Sequence, residues 1–405
     1  MWDKLYCLAY TKGDVLYIAK FVRVLWFLSV FSGAFGFSLA ILVSRVLYDN
    51  AGLHGLLALQ VNTSFMAFLI QFGLRAGLRK EYLVGNYRIV DLVESALLRK
   101  WPIFLVPASV FFLLAFSGSV LIAIYFANAL LTLLVGLRLV QQKVSAAAGY
   151  SLLVFLINFS SGLVFVLLDE FSVELKGFLI EFFSMFVCFL ASLMSLPGKR
   201  RSRNSLVLMK AVFLKYLGLQ VSSFVIIFSS YVYAQTILYF SADDVGLIVI
   251  FSDAVLVSGV VSMVLSRVLL LFEKNIVRSR KVAFYMFASH FFIFMFCLIY
   301  AFVYEFIGGG GIVMPFLVML FLMGKIAIAQ VSSFLNENCR RTFTVSLLVL
   351  VCMQLVVYSD RYVDFGVEDL EVYASLCNIF VLSAMLVLFY GSRKGSYISE
   401  RSVLE

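Results

Sequence analysis

The chain has 405 residues, of which 63% are hydrophobic, 16% aromatic and only 14% charged, against roughly 25% charged residues in a water-soluble domain. Too little polar surface remains for a soluble globular protein, and 43 Phe with 20 Tyr exclude a disordered chain, which needs low hydrophobicity and high charge. The net charge of +9 belongs to the solvated loops of a multi-pass membrane protein and calls for no nucleic-acid partner.

The N-terminal segment, 1–23, carries Asp3, Lys4, Lys12 and Asp14 ahead of the first long apolar run. It lacks the layout of a cleaved signal peptide, so the first span is expected to stay in the membrane as a signal anchor. At about 20 apolar residues per crossing, the runs bounded by charges or turn residues predict twelve spans. They cover 24–47, 52–74, 101–117, 119–137, 147–168, 175–196, 212–240, 246–270, 282–304, 312–333, 343–358 and 372–390. The expected fold class is an all-α polytopic membrane protein. Its organisation reads as a cytoplasmic segment 1–23, an N-lobe of six spans over 24–196, a basic cytoplasmic linker 197–211, a C-lobe of six spans over 212–390 and a cytoplasmic tail 391–405.

With both termini inside, all but four of the 32 Lys and Arg fall in cytoplasmic connections or at the cytoplasmic ends of the adjoining spans, as the positive-inside rule requires. The exceptions are Arg45, Lys176 and Arg361 at the outer face and Lys325 within a span. Acids collect on the outer connections: Asp49, Asp169, Glu170, Glu174, Asp243 and Asp244.

The halves resemble each other. Leu47-Tyr48-Asp49-Asn50-Ala51-Gly52-Leu53 joins the first two spans, and Ser241-Ala242-Asp243-Asp244-Val245-Gly246-Leu247 joins the seventh and eighth. Six spans per half make the repeats parallel.

Polar residues inside a span point into the bundle or a wet cavity. At 100° per residue, Gln60, Thr63, Ser64, Gln71 and Arg75 share one side of the second span. Lys215, Ser222, Ser229, Ser230 and Tyr233 do so on the seventh, and Ser252, Asp253, Gly259, Ser262, Ser266 and Arg267 on the eighth. The first span aligns Ser29, Ser32, Gly33, Gly36, Ala40 and Ser44 and ends beside Arg45. Each has two readings. The small-residue stripe also suits close helix packing. Arg75, Lys215 and Arg267 lie where ordinary basic anchoring operates, and Lys325 can snorkel to headgroups. Asp253 either pairs with a base on another helix or binds a coupling cation, proton or sodium.

The six cysteines are scattered singly and read as packing residues, and His54 and His290 form no metal-ligand cluster with them. Pro107 and Pro315 are expected to kink their spans. No nucleophile triad or paired carboxylates emerge and the outer loops are short, so a metal, a cofactor and an enzymatic role are not expected.

The segments Arg45-Val46-Leu47, Gly52-Leu53-x-Gly55, Gly73-Leu74-Arg75-Ala76-Gly77-Leu78-Arg79-Lys80-Glu81 and Asp244-Val245-Gly246-Leu247 resemble those of polysaccharide (O-antigen repeat unit) flippases. These belong to the multidrug/oligosaccharidyl-lipid/polysaccharide exporter superfamily. The family commonly continues the first segment with Gly, where this chain has Tyr48. The resemblance implies two six-helix lobes around a central cationic cavity, in the bacterial inner membrane. It implies alternating access for an undecaprenyl-diphosphate-linked oligosaccharide whose tail stays in the membrane lipids, with a polysaccharide polymerase and chain-length machinery as downstream partners. By motif position, Arg45 and Arg75 are the substrate-facing residues it implies. Gln60, Gln71, Lys215, Tyr233, Arg267 and Lys325 join them as cavity candidates from the face analysis. A small-molecule antiporter of the same superfamily, and a membrane polysaccharide polymerase or ligase, are the competing expectations.

Overall fold

The computed structural model describes residues 33–48, 50, 52–72, 74–83, 85–116, 120–141, 143–168, 171–194, 205–240, 246–259, 282–308, 311–332, 344–345, 347–356, 359 and 370–393. Every regular element among them is an α-helix. Hydrocarbon offers no partner to a backbone N–H or C=O, so each segment must satisfy its own. In chain order these are α1 (Gly33–Leu47), α2 (Leu53–Ile70), α3 (Leu74–Leu83), α4 (Tyr87–Ala115), α5 (Ile122–Val140), α6 (Val144–Leu167) and α7 (Val173–Met194). They continue with α8 (Ser205–Phe240), α9 (Gly246–Gly259), α10 (Val282–Gly308), α11 (Val313–Ser332), α12 (Leu347–Val356) and α13 (Leu370–Arg393). Helices α2, α4, α5, α6 and α7 are each long and apolar enough to cross a bilayer. The chain is a multi-pass membrane protein.

Three helices depart from the spans read in the sequence; the seventh span, expected to begin at 212, begins at Ser205, within the segment read as a linker. The second span, expected over 52–74, stops at Ile70, turns through Gln71 and Phe72, and restarts as α3. The third, expected to begin at 101, begins at Tyr87. Its first turns are charged yet bury Val90, Val93 and Ala96, an amphipathic start that an apolar-run criterion does not register. The helix then runs through Pro102 and Pro107, both exposed. Pro315 falls in the first turn of α11, where a missing N–H breaks no intrahelical bond.

Helix α5 is the centre of the first bundle, in contact with α2, α3, α4, α6 and α7. It is apolar around most of its circumference, and Ala123, Ile124, Ala127, Leu130, Leu131 and Leu134 are all buried, as such a helix must be to sit inside a bundle. Helix α4 instead turns Ile103, Phe104, Phe111 and Leu114 outward, a lipid-facing surface. In the second bundle α10, α11 and α13 pack on one another. Helix α8 packs on α11 and also reaches back to α2, α3 and α4, so it forms the seam between the bundles.

Lipid tails are as apolar as Leu, so helices associate where small residues let backbones approach. At the α1–α6 contact a Cβ on Gly162 would collide with the Ala40 Cβ, and one on Gly36 would lie 2.7 Å from the Phe155 carbonyl oxygen. Gly162→Ala is expected to force α1 off α6 and to destabilise the protein by about 1–3 kcal/mol. A thermal unfolding midpoint in detergent equal to the wild-type value would contradict this packing.

Candidate functional site

Helices α2 and α8 meet along their length in antiparallel register. The end of the bundle carrying the acidic connections begins with His54, whose Nε2 lies 3.0 Å from the Leu238 carbonyl oxygen. Deeper in, the Gln235 Nε2 donates to the Asn62 Oδ1 at 3.0 Å. Phe65 then stacks on Tyr231 with centroids 4.2 Å apart, and Phe72 meets Phe224 edge-on at 5.7 Å. Aromatic rings and a paired amide close this middle stretch without placing a free charge in the hydrocarbon.

At the basic end α3 continues the seam. A Cβ on Gly77 would lie 2.7 Å from the Val212 Cγ1 and 3.0 Å from the Tyr216 Cδ2, so glycine is what lets α3 touch α8. One turn on, buried Glu81 gathers three donors: Lys215 Nζ at 2.6 Å, Tyr216 Oη at 2.9 Å and Asn86 Nδ2 at 2.5 Å. Glu81 lies in α3, outside the apolar spans. Burial alone would raise its pKa, but the hydrogen bonds from Lys215, Asn86 and Tyr216 outweigh that and hold it below the ordinary 4.5.

A depressed carboxylate contributes stability above its unfolded pKa and loses it as pH falls through the folded value. The seam is therefore expected to hold at neutral pH and to loosen at its basic end below about pH 4. Glu81→Gln should flatten that acid limb in a pH series of unfolding midpoints. An acid limb of undiminished slope in Glu81→Gln would assign it to other groups.

At the acidic end the ion pair of Arg45 in α1 with Asp253 in α9 joins the two bundles. The two side chains keep 27% and 24% of their surface accessible. Tyr300 and Tyr304 of α10 lie within electrostatic reach of both. Of the two readings open for Asp253, the structure places it against a base on another helix.

Inside the first bundle a polar chain climbs α5. The Gln71 Nε2 donates to the Thr132 Oγ1 at 3.0 Å, the Thr132 hydroxyl donates to the Asn128 carbonyl at 2.5 Å, and the Asn128 Nδ2 donates to the Asn158 Oδ1 at 2.8 Å. Gln60 and Thr63 of α2 are also buried, with side-chain oxygens that accept or donate nothing among the described residues.

Arg75 stands at the basic mouth of this interior, its Nε 4.0 Å from where a Cβ on Gly136 of α5 would be. Its side chain is exposed, and the protein atoms packed near it partly desolvate the guanidinium. That desolvation, and then the charge of Arg79, lower its pKa to about 10, so it stays cationic at neutral pH. Among the described residues no carboxylate pairs with it.

The remaining candidates are dispersed. Tyr233 is fully buried in the second bundle, stacked on Phe321 with centroids 3.9 Å apart and beside Tyr373 at 5.8 Å. Lys215 serves the Glu81 cluster. Arg267 lies outside the described residues, as do the side chains of Lys325, His290 and Ser222.

Two buried acids escaped the sequence reading. Glu94 of α4 pairs with Arg138 of α5, and it shares the i, i+4 row of Val90, the buried face of that helix start. Glu181 of α7 accepts the backbone N–H groups of Ile122 and Ala123, so it caps the N-terminus of α5 from a neighbouring helix. A carboxylate flanked by Ile180 and Phe182 in the sixth apolar run was the available signal.

No protein-family model matches the chain, and no curated protein does. Among solved structures it is similar to one described as the outward-facing conformation of a multidrug resistance MATE family transporter of the MOP superfamily. Identity is 16%, 92% of this chain and 95% of that chain are covered, and the TM-score is 0.46.

Proposed function

We propose that the protein is a flippase of the bacterial inner membrane that moves an undecaprenyl-diphosphate-linked oligosaccharide from the cytoplasmic to the outer leaflet by alternating access. The basic face is then cytoplasmic, with both termini, and the acidic face is outer. The observation that carries this reading is Arg75, an exposed cation at the basic mouth that no carboxylate pairs among the described residues. A guanidinium there can take the diphosphate in a bidentate, charge-assisted grip. Gln71, Gln60 and Thr63 supply groups that exchange hydrogen bonds with sugar hydroxyls, and the tail remains in lipid.

Helix α2 separates Arg75 from Arg45, and its 18 residues span about 27 Å at 1.5 Å per residue. One diphosphate does not engage both arginines at once. Arg75 acts on the cytoplasmic side and Arg45 on the outer side, with the α2–α8 seam parting in between.

The antiporter reading needs a carboxylate free to take a cationic drug or a coupling ion. Asp253 is held by Arg45 and Glu181 by two backbone N–H groups, whereas Arg75 is open to an anion. An oligosaccharide polymerase would need nucleophile or acid–base machinery that no cluster among the described residues supplies.

The test is the leaflet in which lipid-linked oligosaccharide resides in cells lacking the chain, read with an external sugar-specific probe. Cytoplasmic accumulation reversed by the wild-type gene is the expected result. Normal outer-leaflet appearance, with no redundant flippase, would reject flipping, and a new sensitivity to small cations would favour the antiporter.

A further inference from the structure

Arg45 was expected to face substrate, yet its guanidinium is occupied by Asp253 of the other bundle, 208 residues away in sequence. A guanidinium fork suits a carboxylate and a phosphate alike. We propose that Asp253 is a built-in competitor for the anionic headgroup at Arg45, so that the outer end of the seam opens when a diphosphate takes Arg45 from it. This rests on the flippase reading and adds to it how arrival of the headgroup parts the lobes.

Three observations support the exchange. The pair bridges the bundles, so breaking it removes an inter-lobe tie. Both side chains retain accessible surface, which gives a headgroup access to the guanidinium before the lobes separate. The released carboxylate also has somewhere to go. Tyr300 and Tyr304 lie within electrostatic reach of it on α10, with ring centroids 6.2 Å apart, and the buried Tyr300 hydroxyl has no hydrogen-bond partner among the described residues. Donation from Tyr300 keeps the freed Asp253 with the second bundle and away from the returning arginine. A ligand moves such an equilibrium only by its differential affinity for the two states. Here the difference is built in, because Arg45 is available to an anion only when Asp253 has left it.

The experiment uses the full chain in nanodiscs, with spin labels on Leu47→Cys and Ile307→Cys in an otherwise cysteine-free background. Both positions are exposed near the acidic ends of α1 and α10. A short label distance is expected without ligand, and a longer population with saturating inorganic diphosphate or with a polyprenyl diphosphate in the bilayer. Opening by the lipid alone would place the effective anion in the membrane, and opening by both would assign it to the diphosphate group itself. No change with either probe overturns the proposal.

Diphosphate binding supplies an independent arm. In an Arg75→Ala background, Asp253→Asn is expected to strengthen binding at least about ten-fold, and adding Arg45→Gln should remove the gain. No gain from Asp253→Asn overturns the competition, while wild-type binding that is lost in Arg75→Ala would keep the flippase reading. A gain on Asp253→Asn with wild-type binding indifferent to Arg75 would keep the competition and count against Arg75 as the cytoplasmic site. The distance measurement retains the native pair, so it stands even if Asp253→Asn does not fold.

Discussion

Glu94→Leu is expected to lower the stability of the first bundle by about 3–5 kcal/mol, the cost of leaving one member of a buried ion pair without its partner. Glu94 is fully buried, and Arg138 has only 8% of its surface accessible. Once the carboxylate is gone, Arg138 keeps its hydrogen bond to the Gln141 Oε1 at 2.7 Å and, among the described residues, nothing that neutralises it there. Glu94→Leu combined with Arg138→Met removes both charges and should recover most of the loss. Two buried ions forfeit hydration that their attraction scarcely repays, so an apolar pair of similar volume is close to neutral. Unfolding midpoints of the two variants in detergent decide the matter. A Glu94→Leu protein as stable as wild type would show that Arg138 finds water or another partner at no cost.

Arg75→Ala should reduce delivery of the lipid-linked oligosaccharide to the outer leaflet by about 10- to 100-fold at equal expression, the equivalent of one hydrogen bond to a charged group. Arg75→Lys keeps the charge and loses the planar fork, so an intermediate rate is expected. Arg88, exposed at the start of α4, serves as the control: Arg88→Ala removes a cation from the same face and should leave delivery unchanged. Equal loss from Arg75→Ala and Arg88→Ala would mean that the face acts through its summed charge. Wild-type delivery by Arg75→Ala would remove this residue from the transport path.

The helices themselves were legible because hydrocarbon solvent imposes a simple rule on sequence. A run of apolar residues must close its own hydrogen bonds, and α6 at Val144–Leu167 and α7 at Val173–Met194 fall within a few residues of runs read at 147–168 and 175–196. The reading failed where apolar content was the wrong variable. Helix α4 starts fourteen residues early, at Tyr87, because a charged helical turn outside the membrane can still bury one face. The stripe from Gln60 to Arg75 is divided between α2 and α3, because a short turn at Gln71 and Phe72 leaves the apolar pattern almost untouched.

The candidate site separates along a similar line. Polarity within a span already marked Gln71, Arg75 and Asp253 as residues that do not face lipid, and the Gly73 to Glu81 segment stood out by its resemblance to a family motif. The reason for that segment lies in three dimensions: Gly77 admits Tyr216 and Val212 to the backbone of α3, and Glu81 then receives Tyr216 and Lys215.

What the sequence by itself determined is the solvent of this protein: apolar runs of bilayer length, basic connections on one side and acidic ones on the other, each following from the cost of moving charge or an unpaired amide into hydrocarbon. What only the tertiary structure decided is which buried charges are neutralised. Arg45 and Asp253, Glu94 and Arg138, and Glu81 and Lys215 are pairs brought together by helix packing across tens to hundreds of residues. Arg75 is left open by the same packing. Coulomb attraction depends on distance in space, and helical periodicity reports only which face of its own helix a charge occupies.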